Sequence, residues 1–418
     1  MLSEPSAATV RATLPVVKAA IGDITERFYG RLFEAHPELL RDLFNRGNQA
    51  AGTQRQALAG SIAAFATHLV EHPDERPDVM LNRIAHKHAS LGVAADQYGI
   101  VHEHLFAAIV EVLGDAVTPE VAAAWDEVYW LMANALIAIE ARLYAEQGAT
   151  SGDTWREWQV VGRVEETADV ATFQLRPVGE APVPGFRAGQ YVSVQVQLAD
   201  GARQIRQYSL TGAGGPADSP VRQIAVKRIR AAAGAPEGEV SNHLHAHVRE
   251  GDVLRVSAPY GDLVLDAADR SDQAGREGQA GREAPLLLAS AGIGVTPMIA
   301  MLEQLAAAGH RAPVTVVHAD RSPAEHALRA DHAAYTGKLP DSAAYFFYER
   351  PQEGHPAELT GLVDLGALPP LPAGTRAYLC GPLPFMRAVR GQLIERGVAA
   401  ADVHYEVFGP DLWLGQSA

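Results

Sequence analysis

The chain is poor in cysteine, with Cys380 alone among its 418 residues. A single cysteine excludes an intrachain disulfide and fits a reducing compartment, so we expect a cytoplasmic protein. The N-terminus lacks the charged-then-apolar pattern of a secretory signal. Apolar runs are short as well, since none reaches the roughly 18 residues that a membrane span needs. We therefore expect no stable insertion into a membrane.

Positive charge is also scarce. Lys and Arg together number 35 against 50 Asp and Glu, and the formal net charge is −15. This balance argues against nucleic acid or an anionic membrane surface as a partner. The length allows two or three domains, each with its own core. We expect small-molecule partners and a monomer.

Residues 1–147 are predicted to form an all-helical domain. Apolar residues recur there at spacings of three and four, as in Ile24, Phe28 and Leu32, which is the period of a helix that buries one face. The stretch 147–154 is small and polar, and it is predicted to be a linker.

The period changes to two in the region 155–266. Short strands separated by Gly and Pro turns predict a small antiparallel β-barrel. The predicted strands cover residues 159–164, 171–175, 191–197, 223–229 and 253–257. The low-complexity stretch 267–283, which repeats the letters QAGRE, is predicted to be a solvated and mobile loop.

Strands and helices alternate in the region 284–410. This alternation predicts a parallel sheet with helices on both faces. Strands are predicted at 286–289, 314–318 and 376–379, and helices at 296–308, 323–335 and 384–396.

The most informative motif is Arg206-Gln207-Tyr208-Ser209. It follows a strand-like run from Tyr191 that re-forms at Ile205. The guanidinium can hold a phosphate, the aromatic ring can lie on an isoalloxazine, and the hydroxyl can reach a flavin nitrogen. The motif therefore suits a flavin.

A second motif, Gly238-Glu239-Val240-Ser241-Asn242, precedes a short helical stretch. Free amides with Ser241 as the cap could hold a flavin diphosphate. A capped surface helix is the alternative interpretation.

Two further motifs follow predicted strands of the α/β region. Gly292-Ile293-Gly294-Val295-Thr296-Pro297 could let a pyrophosphate approach the backbone, with Thr296 as N-cap and Pro297 at the first helical position. A tightly packed strand–helix turn explains it as well. Cys380-Gly381-Pro382 ends a strand at the edge where ligands bind in such sheets. The cysteine could border a nicotinamide or fill a small apolar site.

These motifs, followed by Glu406-Val407-Phe408-Gly409-Pro410, resemble the ferredoxin-reductase-like flavoprotein family over roughly residues 155–410. The resemblance implies FAD on the barrel and a nicotinamide dinucleotide on the last domain. It implies that Phe408 covers the flavin and that Tyr191 contacts FAD. Asp320 could bind a ribose hydroxyl and favour NADH, whereas Arg321 could bind a 2′-phosphate.

His88 is the candidate metal ligand of the helical domain. It continues an apolar line with Met80 and Ile84 at a spacing of four. A satisfied core histidine and a haem ligand are both compatible with this position. Tyr98 and Glu140 lie on later predicted helices, where a hydroxyl and a carboxylate could meet the histidine from behind.

The arrangement of Tyr29, Phe44, Gln54, Leu58, Lys87-His88, Tyr98 and Glu140 closely resembles the globin domain of bacterial flavohaemoglobins. With the reductase motifs, this resemblance covers the whole chain. It implies an all-α globin domain at 1–147, an FAD barrel at 155–266 and an NAD(P) domain at 284–410. It also implies a nitric oxide dioxygenase, in which electrons from NADH or NADPH pass through FAD to haem b, and NO and O2 become nitrate.

The resemblance implies a role for each globin residue. His88 would ligate iron, and Glu140 with Tyr98 would increase its electron donation. Tyr29, with Gln54, would hydrogen-bond bound O2. Phe44 and Leu58 would shape an apolar pocket, and Lys87 would tune the potential or guide electrons. Other histidines, namely His36, His68, His72, His86, His102 and His104, are given no role.

Other functions remain open. The globin could relay electrons to peroxides or ferric iron, or it could carry O2 or lipid or sense a gas. An attached reductase argues against simple carriage, because a carrier needs no continuous supply of electrons. The extension 411–418 is expected to touch no site.

Overall fold

The structure is a computed structural model that describes residues 2–179, 183–212, 221–232, 236–265, 283–350 and 358–413. The loop predicted at 267–283 lies outside these ranges except for its last residue. Within them, no helix is both long and apolar enough to cross a membrane.

The N-terminal region is helical, as predicted. Each main helix buries one apolar face, and α5, which carries His88, ends at Gly92 in a left-handed conformation that favours glycine. The helices are α1 (Glu4–Ala35), α2 (Pro37–Asp42), α3 (Arg46–Ala50), α4 (Thr53–Glu71), α5 (Asp78–Leu91), α6 (Gln97–Leu113) and α7 (Pro119–Glu146).

The middle region is an antiparallel sheet in the order β4-β3-β6-β1-β2-β5. A bridge between Leu210 and Ile224 joins the two outer strands and closes the barrel. The strands are β1 (Trp155–Thr167), β2 (Val170–Pro177), β3 (Tyr191–Gln197), β4 (Arg203–Ser209), β5 (Arg222–Lys227) and β6 (Val253–Ser257), with α8 (Glu239–His247) between the last two. Arg206–Ser209 thus ends a strand of its own, antiparallel to β3, rather than a continuation of the run from Tyr191.

The last region is a parallel sheet in the order β10-β9-β8-β7-β11-β12. Its elements are β7 (Leu286–Ala291), α9 (Val295–Ala308), β8 (Val314–Asp320), α10 (Arg329–Thr336), β9 (Ser342–Tyr348), β10 (Glu358–Thr360), β11 (Arg376–Cys380), α11 (Leu383–Glu395) and β12 (Val403–Glu406).

Alternate residues of the central strand β7 pack against helices on opposite faces of the sheet. This confirms the prediction of helices on both faces. Leu288 packs in the cluster that contains α9 residues, whereas Leu287 packs with Met386 and Val389 of α11. A strand covered on both faces is apolar throughout rather than alternating.

The helix predicted at 323–335 was wrong in its first half, because α10 begins only at Arg329. Leu328 has a φ of 54°, which interrupts a right-handed helix. Strands β9, β10 and β12 were not predicted. Two of them are three and four residues long, too short to show a period.

Candidate functional site

The structure brings His88, Tyr98 and Glu140 together. His88 Nδ1 lies 2.9 Å from Glu140 Oε1 and 2.9 Å from the Tyr98 hydroxyl, and Tyr98 donates to the same carboxylate oxygen over 2.5 Å. The Glu140 side chain is only 3% exposed. Three different helices, α5, α6 and α7, supply these groups, and the buried carboxylate joins them.

This arrangement fixes the orientation of the imidazole. Nδ1–H donates to Glu140, which leaves Nε2 on the opposite side of the ring. Burial and the adjacent Glu140 raise the pKa of Tyr98 well above its usual value. The phenol therefore stays protonated and donates a hydrogen bond to Glu140. The His88 ring is 32% exposed although Ala85 and Ala89 beside it are fully buried. An imidazole whose Nδ1 is held by a carboxylate is oriented to offer Nε2 as a donor, which is the arrangement that suits haem iron.

Tyr29 lies in a second, aromatic part of the helical domain. Its ring is 5.9 Å from that of Phe44, nearly perpendicular, and Leu58 packs on the same cluster. Burial raises the pKa of Tyr29 well above 10, with Gln54 and then Gln49 acting in the opposite direction. Tyr29 is therefore a neutral donor in apolar surroundings, beside the amide of Gln54. Gln49 was missed because nothing in its local pattern distinguishes it.

Helix α5 also contacts the reductase regions, on residues that the sequence did not single out. Arg83 Nη1 lies 3.1 Å from Asp411 Oδ2, and its guanidinium stacks over Tyr405 at 4.1 Å. His86 Nδ1 accepts a hydrogen bond from the Gly261 amide over 3.0 Å. His86, which was given no role, thus has a partner in the barrel region, and Asp411 of the C-terminal extension contacts the helix that carries His88.

Lys87 and Glu406 interact electrostatically where α5 contacts the later regions of the chain, a contact called the seam below. Burial lowers the pKa of Lys87 to about 8, opposed by Glu406. Burial and then Asp262 raise the pKa of Glu406 to about 8, opposed by Arg83 and Lys87. Glu406 is 8% exposed, and its Oε2 makes no hydrogen bond among the described residues. The seam therefore contains two groups, Lys87 and Glu406, whose pKa values of about 8 lie close to neutral pH.

The motif of β4 presents the groups expected of a flavin site. Ser209 Oγ is buried and has no hydrogen-bond partner within the described ranges. Gln207 Nε2 donates to Ser193 Oγ over 3.0 Å, and Ser209 lies opposite Tyr191 in the ladder. Burial raises the pKa of Tyr208, so it too remains a phenol. An orphaned buried hydroxyl beside aromatic rings fits an isoalloxazine.

Arg206 and the N-terminus of α8 share one edge of the barrel. The Arg206 guanidinium is 4.0 Å from the Glu239 carboxylate. Arg46 of the helical domain pairs with the same carboxylate over 2.6 Å. Arg206 and the first-turn amides of α8 form an anion-binding edge.

Two capping predictions were wrong. Gly238, not Ser241, is the N-cap of α8, and Ser241 Oγ donates to the Gly238 carbonyl from inside the first turn. Val240 beside it is fully buried. Gly294, not Thr296, is the N-cap of α9, and the Thr296 hydroxyl donates to the Ile293 carbonyl. Pro297 is accordingly the third residue of α9, not the first as predicted. Both hydroxyls serve their own turn, and neither fills the N-cap position.

The glycine turn after β7 packs against the end of β11. A Cβ at Gly294 would overlap the Cys380 carbonyl and lie 2.8 Å from the Gly381 amide, so only glycine fits. Gly292 has a φ of 53°. Because β7 and β11 are neighbours on either side of the point where strand order reverses, this crevice is where dinucleotides bind in such sheets. The tightly packed strand–helix turn is therefore confirmed, and the approach of a pyrophosphate to it stays a prediction.

Other predicted dinucleotide and flavin contacts are placed less uniformly. Cys380 is fully buried and its pKa is raised by burial, so its thiol is a packing group. Phe408 lies in the segment Val407-Phe408-Gly409-Pro410. Its side chain is 46% exposed, so its ring is free to cover a ligand. The Asp320 carboxylate is 4% exposed and turned toward His318, which argues against the expected ribose contact. Arg321 is half exposed and pairs with Glu325 over 2.6 Å.

Comparisons with known proteins agree with this division of the chain. Family models match at residues 26–136 (Globin), 157–265 (Oxidoreductase FAD-binding domain) and 288–391 (Oxidoreductase NAD-binding domain). A helical globin fold joined to these domains defines a haem- and flavin-containing oxidoreductase.

Relatives over the full length give the family. A flavohemoprotein of Bordetella pertussis is 42% identical over 98% of this chain and 99% of its own. One from Bacillus subtilis is 36% identical over 100% of both chains. A flavohemoglobin structure from Malassezia yamatoensis with bound FAD and heme has a TM-score of 0.85 at 38% identity, covering 98% of this chain and 100% of that one. The chain belongs to the flavohaemoprotein family, and its cofactors are haem, FAD and a nicotinamide dinucleotide.

The reductase part has its own structural relative. The flavohem-like FAD/NAD binding domain of a nitric oxide dioxygenase from Vibrio cholerae is 34% identical, with a TM-score of 0.53. The match covers 62% of this chain and 100% of the Vibrio cholerae domain.

Proposed function

We propose that the chain is a nitric oxide dioxygenase that converts NO and O2 to nitrate at the expense of NAD(P)H. The observation that carries the proposal is a pair of features in the globin domain, on a chain that also carries FAD- and NAD-binding domains. A carboxylate-held histidine is one of them, and a neutral buried tyrosine in an apolar cluster is the other. The Vibrio cholerae relative, named as part of a nitric oxide dioxygenase, supports the same activity.

The cofactors supply the redox chemistry. When bound, NAD(P)H supplies a hydride, FAD passes the two electrons of that hydride on one at a time, and haem binds O2. The chain's own residues then have distinct tasks. Glu140 holds the proton at His88 Nδ1 and so leaves Nε2 as the nitrogen that would bind the iron. Tyr29, with Gln54 beside its hydroxyl, would donate a hydrogen bond to a diatomic ligand in this pocket.

The apolar residues around Tyr29 select the substrates. Phe44 and Leu58 line the same cluster, and they favour small neutral molecules over charged ones. Exclusion of water also strengthens the hydrogen bond that Tyr29 donates. On the reductase side, Ser209 and Tyr208 would orient the isoalloxazine, and the turn of Gly292–Gly294 would receive the dinucleotide.

We also propose that the reaction takes place within one chain and in a reducing cytoplasm. All three cofactor sites belong to the same polypeptide. The single thiol, Cys380, is fully buried among described residues and forms no disulfide.

A nitrate assay tests the proposal. Protein loaded with haem and FAD is given NO, O2 and either NADH or NADPH, and nitrate and dinucleotide oxidation are measured together. Electron balance requires two nitrates for each NAD(P)H oxidised. Oxidation of the dinucleotide without nitrate would reject the dioxygenase and favour a relay to other acceptors.

A further inference from the structure

One buried side chain of the barrel reaches into the globin domain. Gln204 lies on β4, two residues before Arg206, and is fully buried. Its Nε2 lies 3.1 Å from the Arg41 carbonyl, 3.2 Å from the Phe44 carbonyl and 3.4 Å from the Leu40 carbonyl. These carbonyls belong to α2 and to the turn directly after it. A strand of the flavin domain therefore contacts the main chain of the globin domain through one amide group.

The other end of the same amide faces donors. Gln204 Oε1 lies 3.3 Å from Arg206 Nη1 and accepts the Arg46 main-chain amide over 3.4 Å. Carbonyls on one side and donors on the other fix which end of the side chain is nitrogen and which is oxygen. Because a buried polar group without partners is costly, these contacts hold the side chain in place from both sides.

Helix α2 needs a donor at its end. The last four carbonyls of a helix have no partner within it. The Leu39 carbonyl accepts the Phe44 amide over 2.8 Å, and Gln204 serves the carbonyls of Leu40 and Arg41. Helix α2 has six residues and none of them is buried. Packing therefore contributes little to its position, and the bonds from the barrel contribute much.

Two ion pairs beside Gln204 join the same elements. The Asp42 carboxylate at the end of α2 accepts from Arg203 Nη2 over 2.9 Å and from the Arg203 amide over 3.1 Å. Arg46, after α2, pairs with Asp200 over 2.6 Å. Ion pairs that are open to solvent contribute little one by one. The fully buried amide of Gln204 between them therefore sets the geometry of this contact.

Phe44 extends the contact into the aromatic cluster around Tyr29. Its ring lies 5.3 Å from that of Phe33 and 5.9 Å from that of Tyr29, edge to face in both cases. The carbonyl that Gln204 binds and the ring that faces Tyr29 belong to one residue, so holding the carbonyl restricts the ring. The position of the Phe44 ring thus depends on the barrel as well as on the globin helices.

We propose that Gln204 is a positioning residue that joins the flavin site to the haem pocket, with its nitrogen holding Phe44 and its oxygen orienting Arg206. The inference rests on the haem pocket that the proposed function assigns to Phe44 and Tyr29, but not on nitrate formation. Without the amide, conformations in which the Phe44 ring leaves the pocket become more populated. Ligand entry to the haem then becomes faster.

Carbon monoxide binding to dithionite-reduced holoprotein tests this role, since it needs no NO, O2 or dinucleotide. Gln204→Met keeps the length of the side chain but removes both polar ends. We expect the CO association rate constant, measured by flash photolysis, to rise about 2- to 12-fold, which corresponds to one neutral hydrogen bond. The C–O stretching band, which senses the Tyr29 hydroxyl, should gain a second component. An unchanged rate and band would overturn the proposal.

Gln204→Glu separates the two ends of the amide and decides the test if Gln204→Met fails to retain haem and FAD. The carboxylate keeps the shape and the acceptor for Arg206, but it cannot donate to the Phe44 carbonyl. CO association should rise as in Gln204→Met, whereas FAD affinity should fall, by about 2- to 12-fold, only in Gln204→Met. Wild-type CO binding in Gln204→Glu would contradict the donor role. Equal loss of FAD affinity in both variants would contradict the acceptor role.

Gln392→Met is the matched control. The Gln392 amide also joins two main-chain groups, since it donates to the Val363 carbonyl over 3.1 Å and accepts the Leu365 amide over 2.7 Å, but within the dinucleotide domain. CO association and FAD affinity should stay at their wild-type values. An equal rise of the CO rate in this control would refute a specific role of Gln204. If the predicted changes appear in a protein that forms no nitrate, this inference stands and the dioxygenase proposal fails.

Discussion

The haem side and the flavin side of the molecule bind their cofactors in different ways. On the haem side, the proposed function is concentrated in a few groups: one ring nitrogen of His88, one carboxylate behind it, and one phenol in the apolar cluster. On the flavin side it is spread over a strand, a helix N-terminus and the aromatic rings of β3 and β4.

The difference follows from the ligands. Haem iron takes one strong bond from a proximal histidine, so the direction of that imidazole and the hydrogen bond behind it decide the properties of the iron. A dinucleotide-sized flavin offers many weak contacts, each worth about 1 kcal/mol. Single substitutions should therefore have large effects on the haem side and small ones on the flavin side.

Tyr29→Phe should have the largest effect. Loss of one hydrogen-bond donor from a preorganised, apolar site typically slows a reaction about 100- to 1,000-fold. We expect NO consumption to fall by about that factor while NADH-to-cytochrome reduction stays intact.

Tyr144→Phe is the matched control for this experiment, because Tyr144 is another buried phenol of the globin domain and donates to the Val93 carbonyl. It should leave NO consumption near the wild-type rate. Equal loss of NO consumption and cytochrome reduction in Tyr29→Phe would contradict the role given to this phenol.

Glu140→Gln should have the next largest effect. The amide keeps the shape of the side chain but removes the charge that acts on His88 Nδ1. We expect NO turnover to fall about 10- to 100-fold and the haem midpoint potential to rise. Glu127→Gln, on the same helix but bonded to Ser3 at the surface, should change neither. An unaltered potential in Glu140→Gln would show that the carboxylate only supports the fold.

The seam between the two sides should respond to pH. The pKa of Glu406 is raised to about 8, so its contribution to stability is full below pH 4.5 and is lost as pH rises through 8. The pKa of Lys87 is lowered to about 8, so its contribution is full above pH 10.5 and is lost as pH falls through 8. Stability of the seam should therefore be lowest near pH 8.

Glu406→Gln tests that profile. It should flatten the decline between pH 5 and 8, whose slope is at most about 1.4 kcal/mol per pH unit for one proton. Thermal unfolding monitored by flavin release across this range measures it. Glu111→Gln, an exposed acid paired with Arg27 and Arg31, should keep the wild-type profile. A profile in Glu406→Gln identical to that of the wild type would exclude Glu406 as the titrating group.

How much the sequence predicted depends on the range of the interaction. The barrel strands at 191–197 and 253–257 were predicted with the bounds that the structure has, because alternation is local. His88, Tyr98 and Glu140 were chosen with the help of a family resemblance, and three helices do bring them together.

Contacts between distant segments were beyond local patterns. Arg83 and Asp411 are separated by 328 residues, and no spacing rule relates them. His86 was given no role because its sequence context indicated none, and its partner, a backbone amide, can be supplied by any residue. Asp320 was assigned to a ribose because it ends a strand. Its actual neighbour, His318, lies two positions earlier, but the direction of the carboxylate depends on tertiary packing.

Ser209→Ala should have the smallest effect and defines the flavin side of the comparison. The Ser209 hydroxyl is buried and free to bond the flavin, but a single neutral hydrogen bond contributes about 0.5–1.5 kcal/mol. FAD affinity should therefore fall about 2- to 12-fold, measured by equilibrium titration of the apoflavoprotein. Ser257→Ala is the control, because that buried hydroxyl bonds Ala258 and the Ser193 amide, within the protein. It should leave FAD affinity unchanged. A loss of 100-fold or more in Ser209→Ala would mean that flavin binding is as concentrated as haem ligation, and the contrast between the two sides would fail.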